Sequence, residues 1–165
     1  MRQKTVVWVL IGAAAVVALL GAYAYRQYRG ATPPALDTLP IYSRAAQVPL
    51  SEVAEPGLAD AERTLRAFAA GALDQRFLAT DGPLTWDAVR HNIGSFLGEH
   101  GYRLDDDTTS PDGTVESLRY RHGNPVRRRF NDDVIMVVAL TNPVGRTSSG
   151  RDIRVYAYFL LGPGG

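Results

Sequence analysis

The chain has 165 residues, and 18 basic against 17 acidic side chains leave a formal net charge of +1. There is no cysteine, which excludes disulfides and thiol chemistry and leaves the redox compartment open. The near-neutral total hides an asymmetry: residues 30–112 carry 6 Arg against 13 acids, residues 113–165 carry 8 Arg against 4. Two halves that pack together and pair some of these charges account for it more simply than a basic face kept for an acidic partner.

From Thr5 to Tyr25 the chain runs 21 residues without a charge, mostly Val, Ala and Leu. At about 1.5 Å per residue a helix of that length matches the roughly 30 Å hydrocarbon core of a bilayer. Arg2 and Lys4 precede the run, Arg26 and Arg29 follow it, and Trp8, Tyr23, Tyr25 and Tyr28 sit where interfacial aromatics are favoured. Residues 1–29 therefore read as a membrane anchor, with lipid as a partner through residues 5–25. The rival is a signal peptide cleaved after Ala22-Tyr23-Ala24, but the apolar run exceeds the usual length of such a segment. Ala14, Ala18, Gly21 and Ala22 repeat at close to helical spacing and form the candidate packing face for a second copy of the span. The basic flanks are almost equal, and the expected location is a single-pass membrane protein with its domain outside the cytoplasm, in the periplasm of a bacterial envelope.

Residues 30–40, with Pro33, Pro34 and Pro40, read as a stiff spacer, and residues 41–165 as one small domain. A short strand is expected within Ile41 to Leu50. Leu58, Ala61, Leu65, Phe68, Ala69, Ala72 and Leu73 recur at helical spacing, so a helix is expected from Gly57 to Leu73, extending toward Leu78. A second helix follows, capped by Thr85 and stopped by Gly101, with Trp86, Val89, Ile93, Phe96 and Leu97 on one face. Strands are expected at Tyr102 to Leu104, Thr114 to Arg121, Val126 to Phe130, Val134 to Leu140, and around Ile153 to Phe159. Val134 to Leu140 is apolar throughout, as in a strand covered on both faces, and Pro143 to Gly150 reads as a hairpin loop. The expected fold class is α+β: an N-terminal transmembrane helix, then two helices on one face of an antiparallel sheet of three to four strands.

Chemistry is sparse. His91 and His100 stand nine residues apart, not at the i, i+4 spacing of a helical zinc site, and all three histidines, His122 included, read as surface residues. Asp105, Asp106, Asp107 and Asp112 read as an acidic loop lacking the calcium-loop pattern. No nucleophile elbow or phosphate-binding loop is present, so no catalytic, cofactor-binding or metal-binding residue is named. The candidate interaction surface is Arg119, Tyr120, Arg121, Arg127, Arg128 and Arg129, in which basic residues alternate with aromatics around a turn at Gly123 to Pro125. It suits phosphate-bearing ligands, anionic lipid head groups included, or an acidic protein; nucleic acid is not expected beside an anchored domain. In layout the chain resembles the one-span subunits of bacterial secretion machines. The function expected is thus a membrane-anchored, non-enzymatic envelope protein whose domain mediates protein–protein interaction or assembly. The alternatives are an inhibitory, immunity-type binder, and a small-ligand binder or enzyme with a cavity between helices and sheet.

Overall fold

The computed structural model describes residues 2–40, 46–54, 57–81 and 85–163, with the side chains of residues 2–7, 9, 10, 31 and 46 outside the description. Its centre is the pair of segments with the strongest β chemistry. Val134–Leu140 (β5), rich in β-branched residues, lies antiparallel to Asp152–Leu161 (β7), with Val134 opposite Leu161 and Ala139 opposite Tyr156. Added to these are β1 (Ala46–Val48), β2 (Ala72–Asp81), β3 (Tyr102–Thr109), β4 (Val115–His122) and the two-residue β6 (Gly145–Arg146). Every pairing is antiparallel, and the order is β1-β2-β7-β5-β4-β3, with β6 beside β7. The described residues form α+β with four helices and seven strands, rather than the three to four strands expected from the sequence.

The helices do not share a face. Alternate side chains of β5 and β7 point opposite ways, so Ile135, Val137, Tyr156 and Tyr158 enter one core and Val134, Met136, Val155, Ala157 and Phe159 the other. The first core is closed by α3 (Trp86–Glu99) through Val89, Ile93 and Leu97, the second by α2 (Gly57–Phe68) through Ala61 and Leu65. The expectation of two helices on one face is therefore corrected: helix periodicity reveals an apolar stripe but not the layer it covers. The continuous apolarity of β5 carries the reason, since only a strand buried on both sides is apolar at both parities.

Four local expectations change as well. The helix ends at Phe68, because Gly71 takes a left-handed φ of 82° and turns the chain into β2. Asp105, Asp106 and Asp107 belong to the edge strand β3, not to a loop. Asp107 is recruited there by Arg90 of α3, and a bulge between Leu104 and Asp106 breaks the edge. Residues 126–130, expected as a strand, contain instead the short helix α4 (Pro125–Arg128). Asn124 caps it by accepting from the amides of Val126 (2.9 Å) and Arg127 (3.4 Å), and Pro125 fills its first position. Residues 36–40, expected as spacer, pack against the sheet: Leu36 and Leu39 are buried, Arg76 donates to the carbonyls of Leu36 (3.1 Å) and Asp37 (2.8 Å), and Tyr158 Oη donates to that of Pro40 (2.7 Å).

The expected strand near residues 41–50 is present as β1, with residues 41–45 outside the description. Thr85 occupies the cap position of α3, although its side chain accepts no capping bond, and Gly101 follows the helix with φ of 82°. The loop between β5 and β7 forms a long hairpin as expected, interrupted by β6. Across the two charge-biased halves, Arg151 meets the buried Asp81 at 2.5 Å, and Arg121 lies 3.9 Å from Asp105.

α1 runs unbroken from Arg2 to Ala31, about 45 Å long at 1.5 Å per residue. From Ile11 to Tyr23 its side chains face outward all round, with Val17 68% and Leu19 70% exposed, and Trp8 before them is 72% exposed. Ala14, Ala18, Gly21 and Ala22 are exposed with them. Among the described residues no helix is long and apolar enough to cross a membrane. Thr5, Val6, Val7, Val9 and Leu10, the start of the apolar run, have side chains outside the description.

Candidate functional site

The junction between α1 and the domain is the place where the structure concentrates unusual polar chemistry. β4 carries His122 at its end, opposite Tyr102 of β3, with the two rings 5.3 Å apart. Only 3% of His122 is exposed, which corrects the reading of all three histidines as surface residues. The amide of Asn124 donates to His122 Nδ1 (3.1 Å), so that nitrogen is unprotonated and Nε2 bears the hydrogen. Nε2 lies 3.1 Å from the carbonyl oxygen of Gly30 and donates to it. Gly30 is in the last turn of α1, where carbonyls lack partners within the helix.

Arg127, on α4, completes the arrangement. Its Nη1 donates to the same Gly30 oxygen (3.0 Å) and its Nε to Gln27 Oε1 (3.1 Å). The 3.3 Å approach of Arg127 Nη1 to His122 Nε2 joins two donors that share one acceptor. A cation at this end of α1 also complements the negative pole of the helix. Burial, and after it the Arg127 charge, holds His122 below its ordinary pKa, while the Gly30 carbonyl works the other way. Beside this clamp opens a cleft of about 650 Å³, lined by Tyr102, Arg103, His122, Gly123, Asn124 and Arg127 among others.

The arginine-rich segment proposed from the sequence is divided by the fold. Tyr120 is buried in the α3-side core, and burial raises its hydroxyl to about 12. Arg119 and Arg121 project to the opposite face of β4, where Arg121 lies 3.9 Å from both Asp105 and Asp132. Arg127 is committed to α1, leaving Arg128 half-buried and Arg129 exposed. The six residues therefore do not make one continuous face. His122, Asn124 and Arg103 belong to the site and were missed, although Asn-Pro ahead of three arginines is a legible helix start.

Elsewhere, Asp112 serves the β3–β4 turn. It accepts from Ser110 Oγ (2.6 Å), Thr114 N (3.1 Å) and Thr114 Oγ1 (2.8 Å), and these bonds lower its pKa to about 2. Among the described residues no three His, Asp or Glu side chains gather as a metal site would require. A second cleft, of about 320 Å³, lies between α2 and the turn after β5, lined by Ala61, Thr64, Leu140, Pro143 and Val144, with Asp60 paired to Arg63 at 3.0 Å. The chain matches no family model, no curated protein and no solved structure.

Proposed function

We propose that this chain is a single-pass membrane protein whose α+β domain is a non-enzymatic interaction or assembly module, held outside the cytoplasm on a rigid anchor. The observation that carries the reading is α1. From Ile11 to Tyr23 the described side chains of α1 are exposed and almost all apolar, a surface that is unstable in water and calls for a covering medium. Its full uncharged run, Thr5 to Tyr25, has the length of a bilayer core. The junction supports it: His122 of β4 and Arg127 of α4 fasten the helix end to the domain, as suits a domain that must keep a set position relative to its anchor.

Alkaline washing of membranes, followed by N-terminal sequencing of the retained protein, tests the anchor. The protein should stay in the pellet with residues 5–25 still attached to its domain. Release of a soluble form beginning at Tyr25 would sink the reading and leave a secreted domain. Affinity recovery from detergent-solubilised membranes tests the interaction role: a stoichiometric protein partner is expected, and a monodisperse lone chain would count against it.

A further inference from the structure

We infer that α4 and the turn after it form a second membrane contact, a docking surface for anionic phospholipid head groups beside the foot of α1. This rests on the membrane reading above and goes further, giving the domain a fixed face toward the bilayer. If Tyr25 marks the end of the apolar run, Gly30 stands five residues on, about 7–8 Å beyond the hydrocarbon boundary. Arg127 and His122 both bind the Gly30 carbonyl, so α4 is held at that level. Charges there lie within the roughly 8–10 Å over which a charged surface acts at physiological ionic strength.

The chemistry at that level fits a lipid surface. Arg26, Arg29, Arg103, Arg127, Arg128 and Arg129 form no ion pair among the described residues. Of the neighbouring carboxylates, Asp105 and Asp132 face Arg121, and Asp133 lies near Tyr102. Interleaved with the arginines in sequence are the exposed apolar residues Val126, 41% exposed, and Phe130, 45% exposed. Apolar side chains flanked by arginines suit the head-group layer, where the guanidinium reaches phosphate and the ring reaches the acyl boundary. An acidic protein partner would meet the same arginines but has no use for their position at the foot of the helix.

Tryptophan fluorescence in vesicles of brominated lipid tests this on the full-length chain. Trp8 reports on α1 in a Trp86→Phe variant. Phe130→Trp, added to Trp8→Phe and Trp86→Phe, reports on α4; position 130 is exposed and tolerates the larger ring. The indole at position 130 should be quenched in phosphatidylcholine–phosphatidylglycerol vesicles. That quenching should be lost in phosphatidylcholine alone, in high salt, and after Arg128→Gln with Arg129→Gln. An indole at 130 that is unquenched while Trp8 is quenched overturns the docking surface and spares the anchor. Equal quenching in both lipids removes the role of anionic head groups and overturns it too. Absence of quenching at Trp8 overturns the membrane reading itself, and the docking surface with it.

Discussion

Arg127 and His122 act on one oxygen, yet their removal should read differently. Arg127→Ala takes away two hydrogen bonds to α1 and should cost about 1–3 kcal/mol, with faster amide exchange in the last turn of that helix. Arg127→Lys keeps the charge but not the fork that reaches Gln27 and Gly30 together, and should recover only part of the loss. His122 adds a pH dependence whose sign is fixed by its lowered pKa. An unfolded chain takes up the imidazole proton near 6.5, whereas the folded chain does so only at lower pH. Between those values the unfolded state binds more protons, so stability should fall as pH drops below about 6.5 and level off once the folded form is protonated too. Protonation also forfeits the Asn124 amide as a donor to Nδ1 and sets a cation beside Arg127 and Arg128. His122→Phe preserves the ring against Tyr102 and should flatten that pH dependence, at a constant cost of about 1–3 kcal/mol for the unpaired groups. Chemical denaturation in detergent across pH 5 to 8 measures both effects.

Two glycines that stop helices separate backbone strain from packing. Gly71 and Gly101 share a φ of 82°, so either replacement by alanine forces the left-handed region, at roughly 1–2 kcal/mol. At Gly71 an added Cβ meets nothing within 4 Å, whereas at Gly101 it would come 3.0 Å from the His122 ring. Gly101→Ala should therefore be the more destabilising, and the difference between the two midpoints measures how firmly the His122 ring is held. α4 is a four-residue helix that propensity alone could not sustain, since an isolated turn pays the nucleation penalty without the return of propagation. It exists because Asn124 caps it and α1 receives Arg127. Asn124→Ala should loosen this element selectively, costing about 1 kcal/mol and exposing the amides of 126 and 127 to exchange.

For the whole molecule, β5 is the element on which both cores depend. Val137 is fully buried at the centre of the sheet facing α3, so Val137→Asp places an unpaired charge where no partner can reach it. A penalty of several kcal/mol against a total stability of roughly 5–15 should unfold the domain. The amides of β5 should also be the last to exchange, since they open only when both layers come apart. A melting temperature unchanged by Val137→Asp would contradict the three-layer arrangement. The opposite charges of the two halves take part at this scale: Asp81 with Arg151 and Asp105 with Arg121 join early and late segments that the sheet order brings together.

The elements that could be read from sequence are those whose side chains repeat with the period of their own backbone. β7 and α3 announce themselves because each buries residues by a local rule of two or about 3.6, and β5 and the long N-terminal helix by unbroken apolar runs of strand and helix length. β2 and the continuation of β3 beyond Leu104 escaped because Ala72–Asp81 and the acidic stretch 105–107 carry no such alternation; they are strands because neighbours supply the ladder and Arg90 reaches Asp107. The sequence by itself determined an uncharged N-terminal run, a mixed α and β domain and a strand buried on both faces. Only tertiary structure decided that the helices take opposite faces, that residues 36–40 join the core, and that the arginine-rich segment divides. Helix faces and backbone carbonyls carry no label of their partner in the sequence. Gly30 shows this most plainly, because what makes it a site is a carbonyl shared with side chains more than ninety residues away.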